Sequence, residues 1–155
     1  MNNLLRKMSK EEFVFYFENK VARYADVLSE NSYEYGNEDF YLKAKTQLTN
    51  ILPKGIETPN HHLFNLNLEN QVIGYVWIKV EKEKKSAFLY EIYIFEEYRG
   101  KGLGTEVMTS VEAWLEQEDI HFFKLHVFGS NTRARKLYEE LGFGIAGINM
   151  VKTIN

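Results

Sequence analysis

Arg99-Gly100-Lys101-Gly102-Leu103-Gly104 alternates glycine with larger residues three times, between an apolar run ending at Phe95 and an amphipathic run beginning at Thr105. Glycines in that pattern bring bare backbone close to a ligand and point unpaired N–H groups at it. A helix starting there adds about half a positive charge, and Arg99 and Lys101 add whole ones, so the stretch suits a pyrophosphate. Other phosphate motifs fit less well. A P-loop needs Lys-Ser/Thr after its last glycine, where this chain has Thr105-Glu106. A dinucleotide fingerprint needs G-x-G-x-x-G and an acid ending the next strand, which here ends Val127-Phe128-Gly129.

Upstream of the loop, Ala87 to Phe95 is apolar or aromatic except for Glu91, as expected of a central strand covered on both faces. Downstream, Thr105 to Leu115 reads as a helix with Val107, Met108, Val111, Trp114 and Leu115 along one stripe, followed by a strand from Phe122 to Phe128. Asn131 is placed to cap a last helix carrying Ala134, Leu137, Tyr138 and Leu141, and Gly142 to take the left-handed position at its end, with Phe143 packing back. A final strand is expected from Ile145 to Ile154, with an exposed edge open to homodimerisation.

The first half has a different rhythm. Ser9 and Glu12 form a capping box for a helix through Phe13, Phe17, Val21 and Tyr24. A second helix is expected over 38–52, with Tyr41, Ala44, Leu48 and Leu52 on one face and Pro53 and Gly55 as its stop. From Leu63 to Leu68 and from Val72 to Val80 the period becomes two, which predicts an antiparallel hairpin turning at Glu69-Asn70. The fold class is therefore mixed α/β, with a largely antiparallel central sheet, flanking helices and one strand-helix-strand crossover.

At 155 residues the chain is expected to be one domain, spanning 1–155. A net charge of -3 lacks the basic excess of a nucleic-acid binder, and the absence of cysteine excludes disulfides and thiolate chemistry. Charges at Arg6, Lys7, Lys10, Glu11 and Glu12 interrupt the N-terminal apolar residues, so no membrane span or signal is expected and the location is read as cytoplasmic.

Arg99-x-x-Gly102-x-Gly104, preceded by Ile94-Phe95-Glu96-Glu97-Tyr98 and followed by Asn131-x-x-Ala134-x-x-Leu137-Tyr138-Glu139-x-x-Gly142-Phe143, resembles the signature of the GNAT superfamily of N-acetyltransferases. The likeness covers 71–143. Pro59-Asn60-His61-His62-Leu63 is similar to a bacterial subgroup of unassigned substrate. The resemblance implies four regions: acceptor-side helices over 1–60, a hairpin and central strand over 61–95, an acetyl-CoA-binding core over 96–143 and a C-terminal strand over 144–155. It also implies a cleft where the central strand splays from the next one. Backbone groups of Ile94 and Phe95 would meet the pantetheine arm, the N–H groups from Gly100 to Thr105 the pyrophosphate, and Asn131 and Arg133 the cofactor's far side.

An alkylammonium with a pKa of roughly 10 must lose a proton before it attacks, and Glu91, the only acid inside the central strand, is the candidate base. A backbone N–H near Ile94 or Phe95 can stabilise charge on the acyl oxygen. Tyr138 matches the family's tyrosine and is the candidate acid for the departing thiolate; at that spacing alone it would be read as a core aromatic. His61 and His62, adjacent in a strand, point to opposite faces and do not share an ion, so one is assigned a structural or substrate-facing role and no metal is expected. His126 reads as a partly buried sheet histidine, and Lys82 to Lys85 as a solvated turn. Glu34, Glu38 and Asp39 hint at a cationic amine acceptor, either a small molecule or a peptide. Two other readings stay open: a CoA-binding module without turnover, and a nucleotide-phosphate binder using the same loop.

Overall fold

The computed structural model describes residues 4–155; Met1 to Asn3, part of the N-terminal stretch read above, lie outside the described residues. The chain order is β1 (Leu5–Lys7), α1 (Lys10–Glu30), α2 (Phe40–Ile51), β2 (His61–Leu68), β3 (Gln71–Glu81), β4 (Ser86–Ile94), α3 (Leu103–Gln117), β5 (Phe122–Leu125) and α4 (Thr132–Glu140). Among the described residues the five strands form one sheet in sequence order, antiparallel from β1 to β4, with β5 parallel to β4.

Local chemistry accounts for most boundaries. Ser9 and Glu12 close the capping box on α1 reciprocally, and Asp39 caps α2 through the Leu42 N–H. The hairpin turns at Glu69 and Asn70, both at positive φ, the geometry that matches strand twist. At the end of α4 the Gly142 N–H reaches the Glu139 carbonyl and the Phe143 N–H the Tyr138 carbonyl, while the Phe143 and Tyr138 rings meet edge to face. This is the expected left-handed stop.

Alternation along the strands divides the core into two layers. Leu63 and Trp77 face α1 and α2 with Tyr16, Val21, Ala44 and Leu48. Leu66, Val76, Ile78 and Leu89 face α3 with Val107, Met108 and Val111. His61 and His62 separate as expected, the first against Trp77 and Tyr90, the second against Trp114.

The structure departs from expectation in five places. β1, three residues long, has no readable period and is found only because it pairs with β2. β5 stops at Leu125, so His126 lies outside the sheet, exposed and edge-on to Phe128. Tyr41 is half exposed on α2, whose buried face is Ala44 and Leu48. α3 begins at Leu103, which places Gly104 inside its first turn. The strand expected over Ile145–Ile154, and with it the strand region 144–155, is not formed: Ile145, Ile148, Met150, Val151 and Ile154 are all exposed. A strand needs a partner, and no pairing beyond β5 is made among the described residues.

Gly74 is fixed by close approach. It lies opposite Ile94, and a Cβ added to it would meet the Tyr93 carbonyl oxygen at 2.1 Å. Gly74→Ala is expected to lower the unfolding free energy by about 2–3 kcal/mol, read from the urea midpoint.

The His61 ring accepts a hydrogen bond from Trp77 Nε1 at 2.9 Å. Burial, with Lys79 and His62 adding to it, lowers its pKa to about 4. Between an unfolded value of about 6.5 and that folded value, the unfolded chain binds the proton and the folded chain does not. Stability is therefore expected to fall as pH drops from about 6.5 towards 4, by about 1–2 kcal/mol after screening of the half-exposed ring. Denaturant midpoints at pH 7 and pH 4.5, compared with those of His61→Asn, check this.

Candidate active site

The site is made by the parting of β4 and β5. They pair only from Ser86–Phe122 to Leu89–Leu125, after which β4 continues to Ile94 paired with β3 only. The register of β4 against β3 slips at this point: Trp77 faces Glu91 and Ile78 faces Leu89, leaving Tyr90 as the extra residue of a bulge. A cavity of about 400 Å³ lies in the opening. Ile92, Tyr93 and Ile94 form one wall, Tyr98 to Gly100 and Gly102 to Thr105 the end, and Asn131, Arg133, Ala134, Leu137 and Tyr138 the other wall.

Strand geometry decides which backbone groups face this gap. The Phe95 N–H bonds to the Ile73 carbonyl at 2.9 Å, so it turns towards β3. Direction alternates along an antiparallel strand, so Tyr93 turns the same way while Ile92 and Ile94 direct their N–H groups into the gap. An N–H so engaged argues against the backbone role expected of Phe95, whose ring packs against Tyr75 and Tyr93. The Ile94 carbonyl already accepts from Arg99 Nε at 2.6 Å.

Gly100 and Gly102 adopt φ of 75° and 77°, left-handed values that suit glycine, and Gly102 is the N-cap of α3 with no side-chain cap. The N–H groups of Leu103, Gly104 and Thr105 thus belong to the unsatisfied first turn. A Cβ on Gly104 would meet the Leu137 side chain at 3.4 Å, an ordinary van der Waals distance, so Gly104 lies within contact reach of α4. Lys101 lies outside the cavity lining, near the Tyr98 ring, and the Asn131 side-chain oxygen caps α4 at the Ala134 N–H.

Tyr138 projects from α4 into the opening. Burial raises its pKa, and the negative charge of Glu91 raises it further. Glu91 itself stands on the face of β4 that carries α1. Arg23 Nη1 bonds to its Oε2, Arg23 Nη2 to Oε1 at 3.2 Å, Lys20 Nζ to Oε2 at 3.1 Å and the Tyr16 hydroxyl to Oε1 at 2.8 Å. Burial acts to raise its pKa, but Lys20 and Arg23 outweigh it and hold the carboxyl below its ordinary value. A carboxylate so occupied is a poor proton acceptor, which argues against the base role expected of Glu91.

A second hollow of about 360 Å³ opens between the end of α1 and Phe128, lined by Leu28, Asn31, Ser32, Tyr33, Glu34 and Lys43. The Ser130 hydroxyl donates to the Asn31 side-chain oxygen across its rim. Sequence reasoning missed Tyr16, Lys20 and Arg23, although their i, i+4, i+7 spacing placed them on one face of α1. Among the described residues no cluster of three or more His, Asp or Glu could hold a metal ion, and no helix is long and apolar enough to cross a membrane.

Similarity to known proteins accords with this geometry. The family described as Acetyltransferase (GNAT) family matches residues 11–143. The uncharacterized N-acetyltransferase YycN of Bacillus subtilis (strain 168) is 36% identical over 160 residues, covering 99% of this chain and 100% of that protein. The crystal structure of YycN superposes with a TM-score of 0.91 at 35% identity, over 97% of this chain and 98% of that chain. The PaiA N-acetyltransferase of Thermoplasma acidophilum, solved in complex with coenzyme A, shares the fold: its TM-score is 0.69 at 19% identity, over 96% of this chain and 94% of that one.

Proposed function

The chain belongs to the acetyltransferase (GNAT) family, and from that premise we propose that it moves the acetyl group of acetyl-CoA to a primary amine of a small molecule or peptide by direct attack, with both substrates bound together. The observation that carries this reading is the gap between β4 and β5: free first-turn N–H groups of α3 close one end, and Tyr138 stands in its wall. The fit is chemical as well as spatial. Leu103, Gly104 and Thr105 offer N–H groups to a diphosphate, with Arg99 and Arg133 beside them, and the N–H groups of Ile92 and Ile94 face an extended amide-bearing arm.

Acetyl-CoA supplies an acetyl group activated as a thioester. The N–H of Ile94 is suited to steady charge on the acyl oxygen. Tyr138, kept protonated by its raised pKa, gives its proton to the departing sulfur and regains one from solvent. As the C–N bond forms and the C–S bond breaks, the amine proton leaves to water. Glu91 we assign to positioning: it ties α1 to β4 through Arg23, Lys20 and Tyr16.

Calorimetric titration with CoA and free-thiol release from acetyl-CoA over a panel of amines test this. CoA is expected to bind and to raise the melting temperature more than ATP does at equal concentration. Equal or better protection by ATP would instead favour the nucleotide-phosphate reading of the loop.

A further inference from the structure

Lys20 and Arg23 of α1 converge on one carboxylate, Glu91, and two cations facing one anion leave a surplus positive charge. Tyr16 does not change that sum, because its buried hydroxyl keeps its proton and donates it to Glu91. A structural anchor would need a single cation; burying a second without a counter-anion adds desolvation cost and no further pair. Lys20 also keeps donors in reserve, since an ammonium has three and one goes to Glu91. Both side chains remain reachable, at 12% exposure for Lys20 and 20% for Arg23.

The surplus charge lies beside the reaction gap. The Arg23 guanidinium sits 3.9 Å from the centroid of the Tyr93 ring, and Tyr93 lines the cavity between β4 and β5. Two of the acids that hinted at a cationic acceptor are occupied elsewhere: Glu38 pairs with Lys43, and Asp39 caps α2. Resting on the acetyl-transfer reading above, we infer that the acceptor is an amine that also bears a carboxylate, received by Lys20 and Arg23 while its amino group reaches the gap.

The test compares thiol release for glycine, β-alanine, 4-aminobutyrate and 6-aminohexanoate with alkylamines of equal length, and for glycylglycine with glycylglycinamide. The best carboxylate-bearing acceptor should exceed its carboxylate-free partner about tenfold or more in kcat/KM. Lys20→Met, in which Arg23 and Tyr16 still hold Glu91, should raise KM for that acceptor about tenfold while leaving KM for acetyl-CoA and for the alkylamines unchanged. Calorimetry of the same carboxylate probes on the CoA complex gives a readout independent of turnover; heat present in the wild type and weakened in Lys20→Met supports the inference. Amines lacking a carboxylate accepted equally well, a KM shift common to both classes, or no carboxylate-dependent heat would each overturn it. Failure of CoA itself to bind would overturn the acetyl-transfer reading instead.

Discussion

Tyr138→Phe is expected to lower kcat by about 10²-fold or more while CoA affinity stays within about twofold. The substitution removes one hydroxyl from the wall of the gap and leaves the ring, whose edge-to-face contact with Phe143 locks the end of α4. Helix and cavity should therefore persist, so the loss falls on the chemical step and not on binding. The pH profile adds a second readout. Burial, and then the charge of Glu91, raise the Tyr138 pKa, so the protonated and active form persists further into alkali than an ordinary tyrosine would. In the wild type the alkaline limb should lie above about 10, and in the variant it should disappear. A CoA-binding module without turnover predicts the opposite: no activity to lose in either protein.

Glu91→Gln should act on stability first. Among the described residues Glu91 is the one carboxylate that pairs with Lys20 and Arg23, and removing one partner of a buried ionic cluster leaves uncompensated charge. The expected loss is about 3–5 kcal/mol, seen as a melting temperature lower by about 10 °C or more. Acid should do the same work on the wild type. The folded pKa lies below the ordinary carboxylate value, so this contribution is whole above about 4.5 and is lost as pH falls through the folded pKa. A Gln variant that keeps its melting temperature but loses turnover at saturating substrate would return Glu91 to the role of base.

Legibility differed between the parts of the site. The glycine loop was plain because each step is local: Gly100 and Gly102 take left-handed φ, and an uncapped helix starts at Leu103. α4 was equally plain, since Asn131 and Gly142 mark its ends and Tyr138 lies on its apolar stripe. Glu91 was visible as an acid in an apolar strand, yet its chemistry was not. The distances to Tyr16, Lys20 and Arg23 join residues 68 to 75 positions apart, and no periodicity encodes that. That the Phe95 N–H turns to β3 was hidden for a related reason: which N–H faces the gap depends on the pairing of β3 with β4, and hence on the bulge at Tyr90.

By itself the sequence determined the types of the longer elements up to α4, the helix caps, the hairpin turn and the anion-suited loop, because each depends on residues a few positions apart and on their φ preferences and hydrogen-bonding groups. Tertiary structure alone decided where β4 leaves β5, that Glu91 is ionised and occupied, that a surplus cation lies beside Tyr93, and that the residues from Ile145 to Ile154 form no strand. Those outcomes depend on register and on which charges share a buried space, and both arise only when distant segments of the chain come into contact.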